Sequence, residues 1–184
     1  MCLSTCSLSH QPSSRFVLLK GLHEEETGFV FYTNFGSRKA QELKSNPKCA
    51  LTFWWGALHK SVRVEGEVEK VNEKEAEEYY NSRPWGSRVG AWVSEQSCKV
   101  ESRDVLEERN KELRKEFGEE DKRRGRELKK PPFWGGFVVK AKRIEFWKGR
   151  ESRLHDRIVY QLVKKDEDAD ANGKMTWETY RLQP

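Results

Sequence analysis

The chain has 184 residues, 35% hydrophobic and 35% charged, with a net charge of +5. That length suits one domain able to bury a real core, and seven Trp and nine Phe exclude a disordered chain, because burying them offsets ordering entropy. No signal peptide or membrane-length apolar run is visible, and Cys2, Cys6, Cys49 and Cys98 lack both C-x-x-C spacing and enough companions for zinc, so reduced thiols, a cytoplasmic location and no metal are expected.

In chain order, residues 15–20 (RFVLLK) form an apolar run with a cation at each end, read as a buried strand. Its odd spacing would set Arg15 and Lys20 on opposite faces. Residues 29–33 and 49–55 are β-rich runs. Between them Ser37 can cap a short helix ending near Asn46 and Pro47. Val62, Val64 and Val68 alternate with Arg63, Glu65 and Glu67, as in a strand with one buried face. Asn72 and Glu75 resemble a capping box for a helix carrying Ala76, Tyr79 and Tyr80 on one face. Ser102 can cap a long polar helix whose narrow stripe is Leu106, Leu113 and Phe117, with Gly118 as its stop. A charged connector at 119–132 follows. Strands resume at 133–140, 143–147, 155–163 and 176–182, with an exposed loop at 166–174. Short connections between successive strands predict an antiparallel barrel or sandwich with peripheral helices, an α+β chain that is mainly β.

Three stretches carry chemistry. In residues 32–39 (YTNFGSRK), Arg38 and Lys39 fall in the first turn of the Ser37 helix, where the dipole already places positive charge. Either an anion such as phosphate lies on the free N–H groups there, or both side chains point into water. In residues 153–157 (RLHDR), a strand would align Arg153, His155 and Arg157 on one face. An anion or electron-rich ring would relieve their repulsion; an exposed charged edge strand is the plainer alternative. Residues 79–87 (YYNSRPWGS) join two helical stretches and offer Tyr, Arg and Ser donors suited to a phosphate, or simply a helix-ending turn with a core tyrosine. The basic residues form no single long run, and the densest cluster, 122–130, is interrupted by Gly125 and Glu127. Neither a nucleic-acid nor a membrane partner is expected.

Together these stretches, with GAWVSEQS at 90–97, FWGGF at 133–137, IEFW at 144–147 and RLQP at 181–184, resemble the pyridoxamine 5′-phosphate oxidase family along the whole chain. The resemblance implies one FMN-binding split β-barrel domain over 1–184, antiparallel and Greek-key in type. It also implies a homodimer with FMN in the cleft between subunits. By resemblance Arg15, Lys20, Tyr32, Thr33, Arg38, Lys39, Gln96, Ser97, Trp147 and Arg157 hold FMN. Gln96 and Ser97 belong to the phosphate-and-partner side of that shared site. Lys20, Tyr79, Arg83 and Ser87 hold the substrate phosphate, and Arg153 and His155 cover the substrate ring as the catalytic pair. The implied reaction oxidises pyridoxamine or pyridoxine 5′-phosphate at C4′ to pyridoxal 5′-phosphate, with molecular oxygen as acceptor and hydrogen peroxide as product. Two departures stand out. Lys60 and Ser61 replace the family's usual Arg-Gln pair, and the family's N-terminal segment is absent. The second departure leaves room for an alternative, a flavin-binding split-barrel protein with little or no turnover.

Overall fold

The computed structural model describes residues 1–23, 28–118, 128–164 and 175–184. Among these residues nine antiparallel strands form one sheet: β1 (Cys2–Cys6), β2 (Pro12–Phe16), β3 (Gly21–His23), β4 (Gly28–Asn34), β5 (Lys48–Trp55), β6 (Lys60–Lys70), β7 (Trp134–Lys148), β8 (Asp156–Lys164) and β9 (Met175–Arg181). Four helices accompany them: α1 (Arg38–Ser45), α2 (Glu73–Ser82), α3 (Trp85–Val93) and α4 (Arg103–Phe117). The strand order is β2-β1-β5-β6-β7-β4-β3, with β8 beside β7 and β9 beside β8.

The end strands of that path, β2 and β3, are separated in sequence only by residues 17–20. Those residues span at most about 14 Å, so the sheet must curl until its two ends meet. Val17 N–H donates to the Met1 carbonyl and Lys20 N–H to the Val30 carbonyl, both at 2.9 Å. The link therefore leaves β1 and joins β4. The expected buried strand at 15–20 is thus a change of partner. Phe16 and Leu18 are 86% and 70% exposed, because this run covers the outside of the curl.

Strand β7 is the backbone of the split. One edge pairs with β6 from Phe137 to Lys148, while the other pairs first with β4 and then with β8. It replaces the two expected strands at 133–140 and 143–147. Ala141 and Lys142 do not break it: Glu65 opposes Arg143 and Gly66 opposes Ala141, so Lys142 is the extra residue of a bulge. Strand β1 is the strand inside which the family resemblance places the start of the chain, although its residue pattern alone is weak. Its Leu3 and Thr5 turn inward with period two, a signal weakened by polar neighbours.

Leu3, Phe31, Leu51, Val64, Val68, Phe137 and Val139 fill the interior of the curl, plugged at one side by Ala40 and Leu43 of α1. A second small cluster joins Val89 and Val93 of α3 to the Leu106, Leu113 and Phe117 stripe of α4. The Asn72 N-cap forms as expected, its side chain accepting from Glu75 N–H at 2.8 Å, while the Glu75 carboxylate accepts from the Asn72 side-chain amide at 3.4 Å and not from its backbone N–H. Ser37 and Ser102 hold the N-cap positions of α1 and α4, but neither side chain caps. Gly118 ends α4 with φ +85°. The loop expected at 166–174 and most of the connector at 119–132 lie outside the described residues.

Candidate functional site

A cleft of about 610 Å³ opens where β4, the start of α1, the α2–α3 junction and the 94–98 turn converge. Eleven of the expected site residues line it: Arg15, Lys20, Tyr32, Thr33, Arg38, Lys39, Tyr79, Arg83, Ser87, Gln96 and Ser97. Arg15 and Lys20 share it despite their odd spacing, because the chain changes partner between them. Among the described residues no carboxylate lines the cleft.

The start of α1 forms one end. Its first turn has no acidic residue, and its first N–H groups have no partner inside the helix. Lys39 is only 8% exposed, and its ammonium donates to three neutral oxygens: Thr33 Oγ1 at 3.1 Å, Ser37 Oγ at 3.2 Å and Gln96 Oε1 at 3.0 Å. Among the described residues no carboxylate lies within ion-pair distance of it. Burial, then the nearby Arg15 charge, lowers its pKa below the usual lysine value. Ser37 spends its hydroxyl on this cation, which is why it does not cap. Arg38 instead pairs with Glu42 one turn on, Nε to Oε1 at 2.8 Å, and Arg15 meets the other oxygen of Glu42 at 3.2 Å. Burial opposes ionisation of Glu42, but bonds from Thr5 and Arg38 and the charges of Arg38 and Arg15 outweigh it and lower its pKa. Gln96 and Ser97 sit on a turn closed by Cys98 N–H donating to the Glu95 carbonyl, and Ser97 adopts φ +74°. Gln96 thus faces Lys39 and Thr33 of its own chain.

The α2–α3 junction forms the other end. Pro84 follows Arg83 and holds it extended, with φ −74° and ψ 149°. Helix α3 starts next, again with no acidic residue in its first turn, and presents Ser87 to the cleft. The Arg83 guanidinium lies 4.8 Å from the Trp134 ring centroid. Its Nη1 is buried without a partner, and burial lowers its pKa. Between the two ends stands an aromatic stack. Tyr32 lies 4.0 Å from Tyr79 and 5.2 Å from Trp134, at interplanar angles of 21° and 10°. Tyr32 can lie flat because Gly136 opposes it across the ladder; a Cβ there would sit 2.8 Å from Tyr32 Cε1. Burial, with help from Glu75 and Tyr79, pushes the Tyr32 phenol up to about 12, so it stays protonated. Lys20 Nζ hangs 5.7 Å over the Tyr79 ring.

The remaining expected residues lie elsewhere on the chain. Trp147 and Arg157 line a separate cavity of about 330 Å³ with Trp54, Ser61, Arg63 and Glu145. Ser61 sits between Trp54 and Trp147 on neighbouring strands. Glu145 is 3% exposed and is met by Arg157 at 2.8 Å, Arg143 at 3.2 Å and Arg63 at 3.4 Å. The Arg157 hydrogen bond, then the surrounding arginine charges, hold its carboxyl low against burial. Arg153 and His155 are not on a strand, contrary to expectation. Arg153 ends a 3-10 turn with φ +62°, and β8 begins only at Asp156. The reason is the sharp reversal between β7 and β8, which Ser152 and Arg153 make in the left-handed region. His155 packs against Trp147 with centroids 4.8 Å apart and planes tilted by 49°, and its Nδ1 accepts from Arg150 N–H. Sequence reasoning gave no role to Trp134, Glu42 or Glu145. Trp134 had a signal in the two glycines that follow it, and Glu42 in its i,i+4 spacing from Arg38.

Among the described residues no helix is long and apolar enough to cross a membrane, and no group of three or more His, Cys, Asp or Glu is placed to hold a metal ion. The profile of pyridoxamine 5′-phosphate oxidase matches residues 1–116, and that of the pyridoxine 5′-phosphate oxidase C-terminal dimerisation region matches 134–184. The second match supports a homodimer. Curated relatives called pyridoxine/pyridoxamine 5′-phosphate oxidase include those of Rubrobacter xylanophilus, 47% identical over all of this chain and 76% of its own length, and Burkholderia mallei, 48% identical over all of this chain and 78% of its own. Two solved structures share the fold. PhzG of Burkholderia lata, in complex with tetrahydrophenazine-1-carboxylic acid, has a TM-score of 0.83 at 24% identity, covering all of this chain and 81% of its own. A pyridoxamine 5′-phosphate oxidase-related FMN-binding protein of Nostoc punctiforme has a TM-score of 0.72 at 12% identity, covering all of this chain and 87% of its own. The fold is the split β-barrel expected from the sequence, and the chain belongs to the pyridoxamine 5′-phosphate oxidase family of oxidoreductases.

Proposed function

We propose that residues 1–184 act as one FMN-binding domain that oxidises pyridoxamine 5′-phosphate or pyridoxine 5′-phosphate to pyridoxal 5′-phosphate, with molecular oxygen as acceptor. One observation carries the reading: a single cleft has a helix start with cations and no first-turn carboxylate at each end, and flat aromatic rings between. Such an arrangement suits two phosphorylated, planar molecules side by side. The buried Lys39 ammonium without a carboxylate and the unpaired buried Nη1 of Arg83 fit anions at both ends.

At the first end Arg38, Lys39 and the α1 N–H groups hold the FMN phosphate, with Thr33, Gln96 and Ser97 completing the cradle. Arg15 and Lys20 flank it, and Tyr32 borders the ring region. FMN, when bound, supplies two-electron acceptance. At the other end Lys20, Tyr79, Arg83 and Ser87 hold the substrate phosphate. Trp147 and Arg157 line a different cavity of the same chain, His155 packs against Trp147, and Arg153 lies on the turn just before it, so in a homodimer these residues serve the partner's cleft. There Arg153 and His155 cover the substrate ring. Because His155 Nδ1 accepts from Arg150 N–H, its neutral ring keeps a proton on Nε2, ready to donate to the substrate.

The test is to supply FMN and pyridoxamine 5′-phosphate to the purified protein and follow peroxide and pyridoxal 5′-phosphate together. Equal amounts of both are expected. Full flavin occupancy without peroxide from either phosphorylated vitamer would refute the substrate assignment while leaving the flavin site standing.

A further inference from the structure

We propose that Trp134 is a positioning residue: its indole face holds the Arg83 guanidinium in place for the anionic group of the substrate. The inference rests on the reading of Arg83 as a phosphate ligand and adds what fixes it there. A free arginine side chain has several rotatable bonds, and confining one costs free energy at each binding event. The other arginines of the cleft, and Arg157 of the second cavity, are fixed by carboxylates: Arg15 and Arg38 by Glu42, Arg157 by Glu145. Arg83 has no carboxylate within ion-pair distance among the described residues. What it has is Trp134, with Cζ 4.8 Å from the ring centroid. Tryptophan offers the strongest cation–π face, and an aromatic ring holds the cation without neutralising it or occupying its N–H groups. Arg83 therefore keeps Nη1 buried and unpaired.

Trp134 is itself rigid. It is 6% exposed and opens β7, where its N–H donates to the Pro131 carbonyl at 3.1 Å. Tyr32 stacks on it, and Tyr80 meets it edge-on at 5.4 Å. Tyr80 is anchored in turn by donating its hydroxyl to the Arg88 carbonyl at 2.9 Å, which ties α2 to α3 on either side of Arg83. The indole is thus a fixed wall, and the backbone of Arg83 is fixed by Pro84. A guanidinium between the two has little freedom left.

The experiment is a double-mutant cycle on the flavin-saturated full-length protein, with occupancy checked by visible absorbance. The variants are Trp134→Leu, Trp134→Phe, Arg83→Ala and the two combinations. The readouts are KM for pyridoxamine 5′-phosphate and Ki for inorganic phosphate as a competitor. Trp134→Leu should raise both by about fivefold to thirtyfold, and Trp134→Phe by less, since phenylalanine still offers a ring face. In the Arg83→Ala background either change at Trp134 should add less than about twofold, because the group it positions is gone. If Trp134→Leu fails to fold, the Trp134→Phe cycle gives the same comparison on a smaller scale. Arg83→Ala that raises both constants, with a Trp134 effect that persists in full in its background, overturns the positioning role alone. Arg83→Ala that leaves both constants unchanged overturns the phosphate-ligand reading, and the positioning role with it.

Discussion

Lys39→Met separates function from stability at the proposed flavin phosphate end. Methionine keeps the length of the side chain and removes its charge. In the free protein the Lys39 ammonium is almost fully buried and held only by neutral oxygens. Removing it leaves those oxygens able to satisfy one another, because Thr33 Oγ1 already donates to Gln96 Oε1 at 2.8 Å and Gln96 is exposed to water. Replacing a buried ion by an apolar group is often neutral or stabilising. The ligand-free variant should therefore be as stable as the wild type or up to about 2 kcal/mol more so, a rise in Tm of roughly 0–8 °C. FMN affinity should move the other way. Losing a charge-assisted bond of about 1.5–3 kcal/mol weakens it by roughly one to two decades. The pH dependence has a definite sign. The folded pKa of Lys39 lies below its unfolded value, so between the two the unfolded chain binds more protons and stability rises with pH. That increment should be missing from Lys39→Met when the two melting curves are subtracted up to about pH 10.4. Differential scanning calorimetry without ligand and flavin fluorescence titration measure both effects. A ligand-free Tm more than about 5 °C below the wild type, or unchanged FMN affinity, would show Lys39 to be a structural group.

Two further perturbations probe the scaffold on either side. Glu145→Gln should destabilise by about 1–3 kcal/mol near neutrality, less than for a fully buried pair because Arg63 and Arg157 are partly exposed and Arg63 and Arg143 also meet Glu65. The Glu145 pKa is lowered by folding, so its contribution is full above about pH 4.3 and is lost as pH falls through the folded value; the two melting curves should converge in acid, and a constant gap at every pH would contradict this. Gly136→Ala places a methyl group 2.8 Å from Tyr32 Cε1 and from Val71 Cγ2, which should cost about 1–3 kcal/mol and change the near-UV circular dichroism of the stack, whereas an unchanged Tm and spectrum would mean the ring has room to move.

The sequence was most legible where one periodicity held over a whole element. The alternation of Val62, Val64 and Val68 marked β6, and the Asn72–Glu75 pair marked the start of α2. It was least legible where a run changed partner or surroundings. Residues 15–20 look like a core strand because apolar content says nothing about which neighbour a strand has. Arg153 and His155 look like strand residues because alternating charge also suits a reversal. Within the site, the cations at 38 and 39 stood out because they contradict the helix dipole. Their different fates did not: Glu42 takes Arg38 from one turn away, while Lys39 turns into a pocket made by residues as distant in sequence as Gln96. Trp134 was invisible as a site residue because an aromatic residue at a strand start is usually core; only Arg83, fifty-one positions earlier, gives its face a use.

The distribution of charge links these features. The first half of the chain brings Arg15, Lys20, Arg38, Lys39 and Arg83 to one cleft that no carboxylate lines among the described residues, and Glu42 behind it neutralises two of the five. Two of the others, Lys39 and Arg83, have pKa values lowered by burial, so the fold holds these charges at a cost that an anion removes. The second half does the opposite. It surrounds Glu145 with three arginines and so settles its charge internally. A ligand that needs cations gains most from the first half, while Trp147 and Arg157 line a cavity whose carboxylate is already paired, with His155 packed against Trp147. That division favours an assembly in which the cleft of one chain binds the anions and the second cavity's wall from another closes over them. Binding and assembly are then coupled, because the ligand that relieves the charge in the cleft also gives the wall something to cover. Anion binding should accordingly strengthen the dimer, and dilution should weaken FMN affinity. Sedimentation velocity over a dilution series, with and without FMN, measures this directly, and a dimer whose dissociation is indifferent to FMN would break the link.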